Sequence, residues 1–148
     1  MTNRLVALIA TVAAVATTAV LATSGSAQTQ PTTLHVVSTP ERGASFFPKG
    51  APGPGDRLGF ASKISGDDTG YSKAICTVLG KKGQGDLPCT MWVHVSRGTL
   101  ELQGMLPDRA HNTPIAVTGG TGAYNGARGT ALVTDISKTK TSVEITLL

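Results

Sequence analysis

The chain has 148 residues, 40% hydrophobic and 15% charged, which is enough apolar material for one packed domain and too much for a disordered chain. Its formal net charge is +4, and its bases are scattered singly apart from Lys81 and Lys82, with aromatics making up only 4%. That pattern excludes a nucleic-acid surface, which needs clustered cations interleaved with stacking rings.

The amino terminus carries Arg4, an apolar run from Leu5 to about Ala22, and then the small residues Gly25, Ser26 and Ala27. Those are the three parts of a secretory signal peptide, so residues 1–27 are expected to be removed on export, with Ala22 to Ser24 as a second cleavage point. Residues 28–148 then form the folded domain, extracellular and free of the membrane. An uncleaved anchor is the alternative, and the threonines and alanines of the run argue against it. Cys76 and Cys89, the only cysteines, both fall in the exported part, where a disulfide can form.

After a polar lead, "LHVVST" (34–39) predicts a first strand. The segment 40–56 is rich in Pro and Gly and reads as a long surface loop, and its adjacent rings Phe46 and Phe47 suggest that it folds back over a core or an opening. "RLGFASKI" (57–64) is a second strand, and "GDDTG" a turn built on Asp67 and Asp68. In "YSKAICTVL" (71–79), alternation puts Ser72, Ala74, Cys76 and Val78 on one face; in "LPCTMWVHVS" (87–96) it groups Cys89, Met91, Val93 and Val95. The midpoint between the cysteines falls in the glycine loop joining these two runs, so they face each other across a hairpin. "LELQGML" (100–106), "IAV" (115–117), "TALVTDIS" (130–137) and "SVEITLL" (142–148) complete about eight short strands, with no amphipathic helix. Many short antiparallel strands that must hide their edges predict a closed barrel.

The stretch "IAVTGGTGAYNGARG" (115–129) raises the question of a phosphate loop. A dinucleotide fingerprint counted from Gly120 and Gly122 meets Asn125 where its third glycine belongs, and no Gly-Lys-Ser/Thr follows for a nucleotide P-loop. The glycines at 119, 120, 122, 126 and 129 are therefore read as positive-φ turn positions and points of close backbone approach. His35, His94 and His111 lack metal-ligand spacing, and the G-x-S-x-G elbow of serine hydrolases is missing. No metal and no cofactor is expected.

"AVTGGTGAYNGARG", with "GDRLGFASKISGDDTGYSKAICTVL" and "LELQG", resembles the allene oxide cyclase and dirigent barrel family over most of the exported part. The resemblance implies an all-β, eight-stranded antiparallel β-barrel of calycin-like type, often a homo-oligomer, with an apolar interior that takes a small apolar molecule. It also implies catalysis by holding a reactive intermediate in one conformation so that it closes or couples with defined stereochemistry. Cys76 matches a cysteine of the cyclase pattern, Ser38 stands where that pattern has a glutamate, and 127–129 is closer to the dirigent variant.

Three residues are candidates for the chemistry. Arg128, opening a strand beside Tyr124, either reaches into the barrel mouth to orient a carbonyl or anion, or anchors its loop by donating to backbone carbonyls. Tyr124 either touches the ligand or caps the core. Glu101 alternates with Leu100 and Leu102 and matters only if it faces inward, where burial would make it an acid. Two function classes follow: a cofactor-free cyclase, isomerase or stereochemistry-directing protein, or a secreted barrel that binds an apolar ligand, or is purely structural, without turnover. An open cavity with an inward carboxylate, or with the Arg128 guanidinium inside, favours the first; a filled core rejects it.

Overall fold

The computed structural model describes residues 32–41, 46, 49–80, 87–107 and 109–148; residues 1–27, expected to be a signal peptide, and Phe47 lie outside them. The chain forms eight strands: β1 (Thr32–Pro40), β2 (Arg57–Gly66), β3 (Gly70–Thr77), β4 (Leu87–Val95), β5 (Gly98–Leu106), β6 (Thr113–Gly122), β7 (Gly129–Ser137) and β8 (Lys140–Leu147). Each pairs antiparallel with the next, and β1 pairs with β8 from Thr32↔Leu147 to Ser38↔Thr141, closing the barrel. The predicted all-β barrel is therefore observed, and every described element is a strand. Closure pairs the first and last strands, which would otherwise be bare edges.

Alternation decides what faces in. Leu34 and Val36 on β1, Val93 on β4, Leu100 and Leu102 on β5, and Val143 and Ile145 on β8 are buried, while the residues next to each of them along the strand are exposed or half-buried. The connections after β2, β4 and β6 lie at one end of the barrel with the start of β1 and the end of β8; those after β1, β3, β5 and β7 lie at the other. The first end is filled. Leu100, Leu102, Ile145, Val36 and Val93 all fall below 2% exposure, and an eight-stranded barrel is just narrow enough for such side chains to meet on its axis.

The glycine stretch differs from its sequence reading in one respect. Gly119 and Gly120 are not in a turn: β6 runs on to Gly122, paired with β5 through Glu101↔Gly119, Leu100↔Gly120 and Gly98↔Gly122. A bulge at Thr118 shifts the register, since Leu102 pairs with Val117 while Glu101 pairs with Gly119. The extra residue reverses the alternation, so Gly120 faces inward opposite Leu100. A methyl group on Gly120 would lie 2.8 Å from the Cβ of Tyr124, so this glycine is the space into which Tyr124 folds. The turn itself is short, covering 123–128, with Gly122 and Gly126 at φ +62° and +72°.

The filled end is tied across its turns by Asp68. Its carboxylate accepts from the Ser96 hydroxyl at 3.0 Å, from Ser96 N–H at 3.2 Å and from Thr69 N–H at 2.7 Å, and the Arg97 guanidinium lies 3.8 Å away. The Ser96 hydroxyl above all, then the Thr69 amide, holds this carboxyl below the ordinary value of 3.8, and burial opposes them only in part. A carboxylate whose folded value is depressed contributes stability above 3.8 that is lost as the pH falls through the folded value. Asp68→Asn should flatten the acid limb of a melting-temperature profile below that pH and leave its slope near neutrality unchanged; an identical acid limb in the variant would show that these bonds add nothing.

Candidate functional site: the open end of the lumen

The second end is not filled. A cavity of about 310 Å³ enters it, lined by inward residues from seven of the eight strands and by Pro107 and Ala110. It exists because the inward side chains of one sector are small: Ser38 on β1, Ser62 on β2, and Ser72 and Ala74 on β3 stand where the filled end has leucine, isoleucine and valine. Met91, Leu106, Val133 and Val143 form the facing wall, and Phe60 and Leu87 narrow the mouth. Such a volume lies at the lower bound of small-molecule pockets, and the mostly apolar lining with a few polar groups is their usual composition.

Cys76 and Cys89 belong to this wall. They are directly opposed in the β3–β4 ladder with Cα atoms 4.1 Å apart, and they form the disulfide expected from the hairpin. With Leu58 and Val78 they make a second small core, against which Phe60, Leu87 and Leu106 pack. The bridge thus holds the mouth as well as the hairpin.

Among the described residues lining the lumen, Asp135 is the only ionisable side chain. Alternation from Ala131 and Val133 points it inward at the rim. One oxygen accepts the Ala110 N–H at 2.9 Å and the other the Thr141 hydroxyl at 2.8 Å. Asp135 therefore straps the segment before β6 to the β7–β8 hairpin and keeps the mouth open in one shape. Beyond it, a shelf of about 600 Å³ continues past Arg109, His111, Lys138 and Lys140.

The three sequence candidates lie elsewhere. Tyr124, 5% exposed, packs into the filled end under the Arg97 guanidinium, whose carbon is 5.5 Å from the ring centre. Arg128 is at the same end and donates to the carbonyls of Thr118 at 2.6 Å and Ala127 at 2.8 Å, the loop-anchoring arrangement. Glu101 faces out, on a groove of the outer wall with Trp92, Ile75 and Met105, where Gln103 donates to it at 2.8 Å. Thr118 stands between the last two, because its hydroxyl donates to the Glu101 carbonyl at 3.4 Å. None of the three lines the lumen. Phe46 also departs from expectation: it is 64% exposed and pairs with Gly59 on the outer wall instead of covering the opening, and a Cβ on Gly59 would come within 3.2 Å of its own Cβ.

Tyr124 carries a stability prediction. Its hydroxyl is buried with no hydrogen-bond partner among the described residues. A hydroxyl left unpaired in a core costs stability, so Tyr124→Phe should leave the protein as stable or raise stability by up to about 1 kcal/mol, read from urea unfolding. A loss of more than that would reveal a bond that this geometry does not contain.

An apolar lumen closed at one end, open at the other and walled by a disulfide is now defined. A solved structure shares this barrel. A protein described as a pyocyanin demethylase superposes with a TM-score of 0.67 at 21% sequence identity, over 79% of this chain and 100% of that one. At this identity the likeness is one of fold, a small barrel, and it does not single out the allene oxide cyclase and dirigent family. Comparison with protein-family models and with curated proteins gives no match.

Two polar residues of the lumen leave a signal in the sequence. Ser62 sits between Phe60 and Ile64 on one face of β2, and Asp135 follows Ala131 and Val133, so a hydroxyl and a carboxylate each interrupt an inward apolar series.

Proposed function

We propose that this is an exported barrel that binds a small, mostly apolar molecule in its lumen and holds it in one conformation. The observation that carries the reading is the cavity of about 310 Å³ at one end of an otherwise filled barrel. Its walls supply shape and two buried serines, and its only ionisable lining residue among those described is already engaged by two donors. Such a site acts by selecting a near-attack conformer, which is what a cyclase, isomerase or stereochemistry-directing protein requires and what the family resemblance implies. The structural neighbour is by its description an enzyme that acts on pyocyanin, which supports chemistry on a small molecule in a barrel of this shape. The Cys76–Cys89 disulfide is compatible with an extracellular protein and supports export.

The test uses the environment-sensitive dye N-phenyl-1-naphthylamine. Ala74→Phe places a ring in the lumen and should weaken dye binding at least about tenfold, or about 1.4 kcal/mol. Ile75→Ser, one residue along on the outer groove, should leave it within about twofold. The reverse order of effects would move the binding site to the outer wall and end the lumen reading.

A further inference from the structure

Ser62 and Ser72 are 8% and 5% exposed, the buried polar side chains of the described barrel. They are direct partners across the β2–β3 ladder, both face inward, and both line the lumen. Neither hydroxyl makes a hydrogen bond to another described residue. Tyr124 Oη is the one fully enclosed hydroxyl without a partner among the described residues, so the two serine oxygens open onto the lumen, and Ala74 shows that packing in this sector accepts alanine and does not itself call for a hydroxyl. Facing Cβ atoms in such a pair lie about 4.5 to 5.5 Å apart, so both hydroxyls can reach one atom placed between them at ordinary hydrogen-bond length. A hydroxyl donates one proton, and an sp² oxygen has two lone pairs to accept one from each. The apolar walls opposite, Val133, Val143 and Met91, leave such a pair of bonds in a poorly screened environment where they count for more.

Resting on the proposal that the lumen binds a small apolar molecule, we infer that its ligand is a neutral carbonyl compound. The oxygen-bearing end enters first and is held between the Ser62 and Ser72 hydroxyls. Asp135 at the rim disfavours an anionic tail beside it, while the apolar body fills the space between Phe60, Met91 and Leu106. The two serines are then the specificity determinants of the site, choosing an oxygenated molecule over the hydrocarbon of the same shape.

The matched probes are 1-tetralone and tetralin, which differ by one carbonyl, titrated into the isotope-labelled purified protein and followed by amide chemical shifts of Val133 and Val143. One to two net hydrogen bonds predict that 1-tetralone binds about tenfold more tightly than tetralin. In Ser62→Ala/Ser72→Ala that ratio should fall to within about twofold of unity, through weaker tetralone binding alone, and Ser62→Thr in place of Ser62→Ala should restore part of it. Equal binding of both probes to the unaltered protein would mean that water satisfies the hydroxyls, and would overturn the inference while the lumen reading stands. Survival of the tenfold ratio in the double variant would overturn it as well, and binding of neither probe would sink both.

Discussion

Gly129→Ala should cost at least about 3 kcal/mol in urea unfolding followed by Trp92 fluorescence, while Gly126→Ala, three residues earlier, costs about 1 kcal/mol. Both glycines have a positive φ, +156° and +72°, so each substitution strains the backbone. They differ in what a methyl group meets. At Gly126 there is nothing within 4 Å, whereas at Gly129 it would run into the Thr146 carbonyl oxygen, with the Leu147 Cα at 3.1 Å. Those are main-chain atoms of β8 in the Gly129↔Leu147 and Thr130↔Thr146 ladder, and they cannot yield without opening the seam by which β7 and β8 complete the wall. Equal costs at the two positions would mean that β7 enters the barrel by some other path.

That pair of glycines also shows how far the sequence could be read. Alternation in 71–79 and 87–96 sorts the side chains of β3 and β4 into the two faces observed and sets the cysteines opposite each other, because a period of two leaves only two choices. It does not say which face turns inward, since Tyr71, Ile75 and Leu79 make the outer face of 71–79 as apolar as the inner one. Closure followed from strand number and the need to hide edges. What alternation could not foresee was the bulge at Thr118, which reverses the faces after it and moves Gly119 and Gly120 from a turn into β6. Tyr124 and Arg128 are the conspicuous side chains of the glycine stretch, yet that stretch closes the filled end of the barrel. The open lumen is signalled by smallness, in Ser38, Ser62, Ser72 and Ala74, and a small residue on an inward face is silent until the strands opposite it are known. Which end of a barrel stays hollow depends on how eight faces add up around the axis, and no single segment carries that sum.

Removing the disulfide should lower stability by about 3 kcal/mol, the entropy that a cross-link over this short a loop takes from the unfolded chain. The bridge spans a sequence separation of 13, and in the fold it needs no rearrangement, because Cys76 and Cys89 are already ladder partners. For a chain of this size such a loss corresponds to a melting temperature lower by roughly 10 °C. The comparison is Cys76→Ala/Cys89→Ala against the unaltered protein, with and without reductant. Reductant should lower the melting temperature of the unaltered protein towards that of the variant and leave the variant unmoved. A second consequence separates this cross-link from one that is only a staple. Both cysteines line the lumen beside Met91 and Leu106, so their replacement by alanine enlarges the cavity at its mouth and loosens the small core of Leu58 and Val78 on which Phe60 and Leu87 rest. Dye affinity should therefore fall in the double alanine variant at temperatures where it remains folded. If affinity is unchanged although stability drops, the bridge constrains the chain without shaping the site, and the mouth is set by Asp135 and its two donors instead.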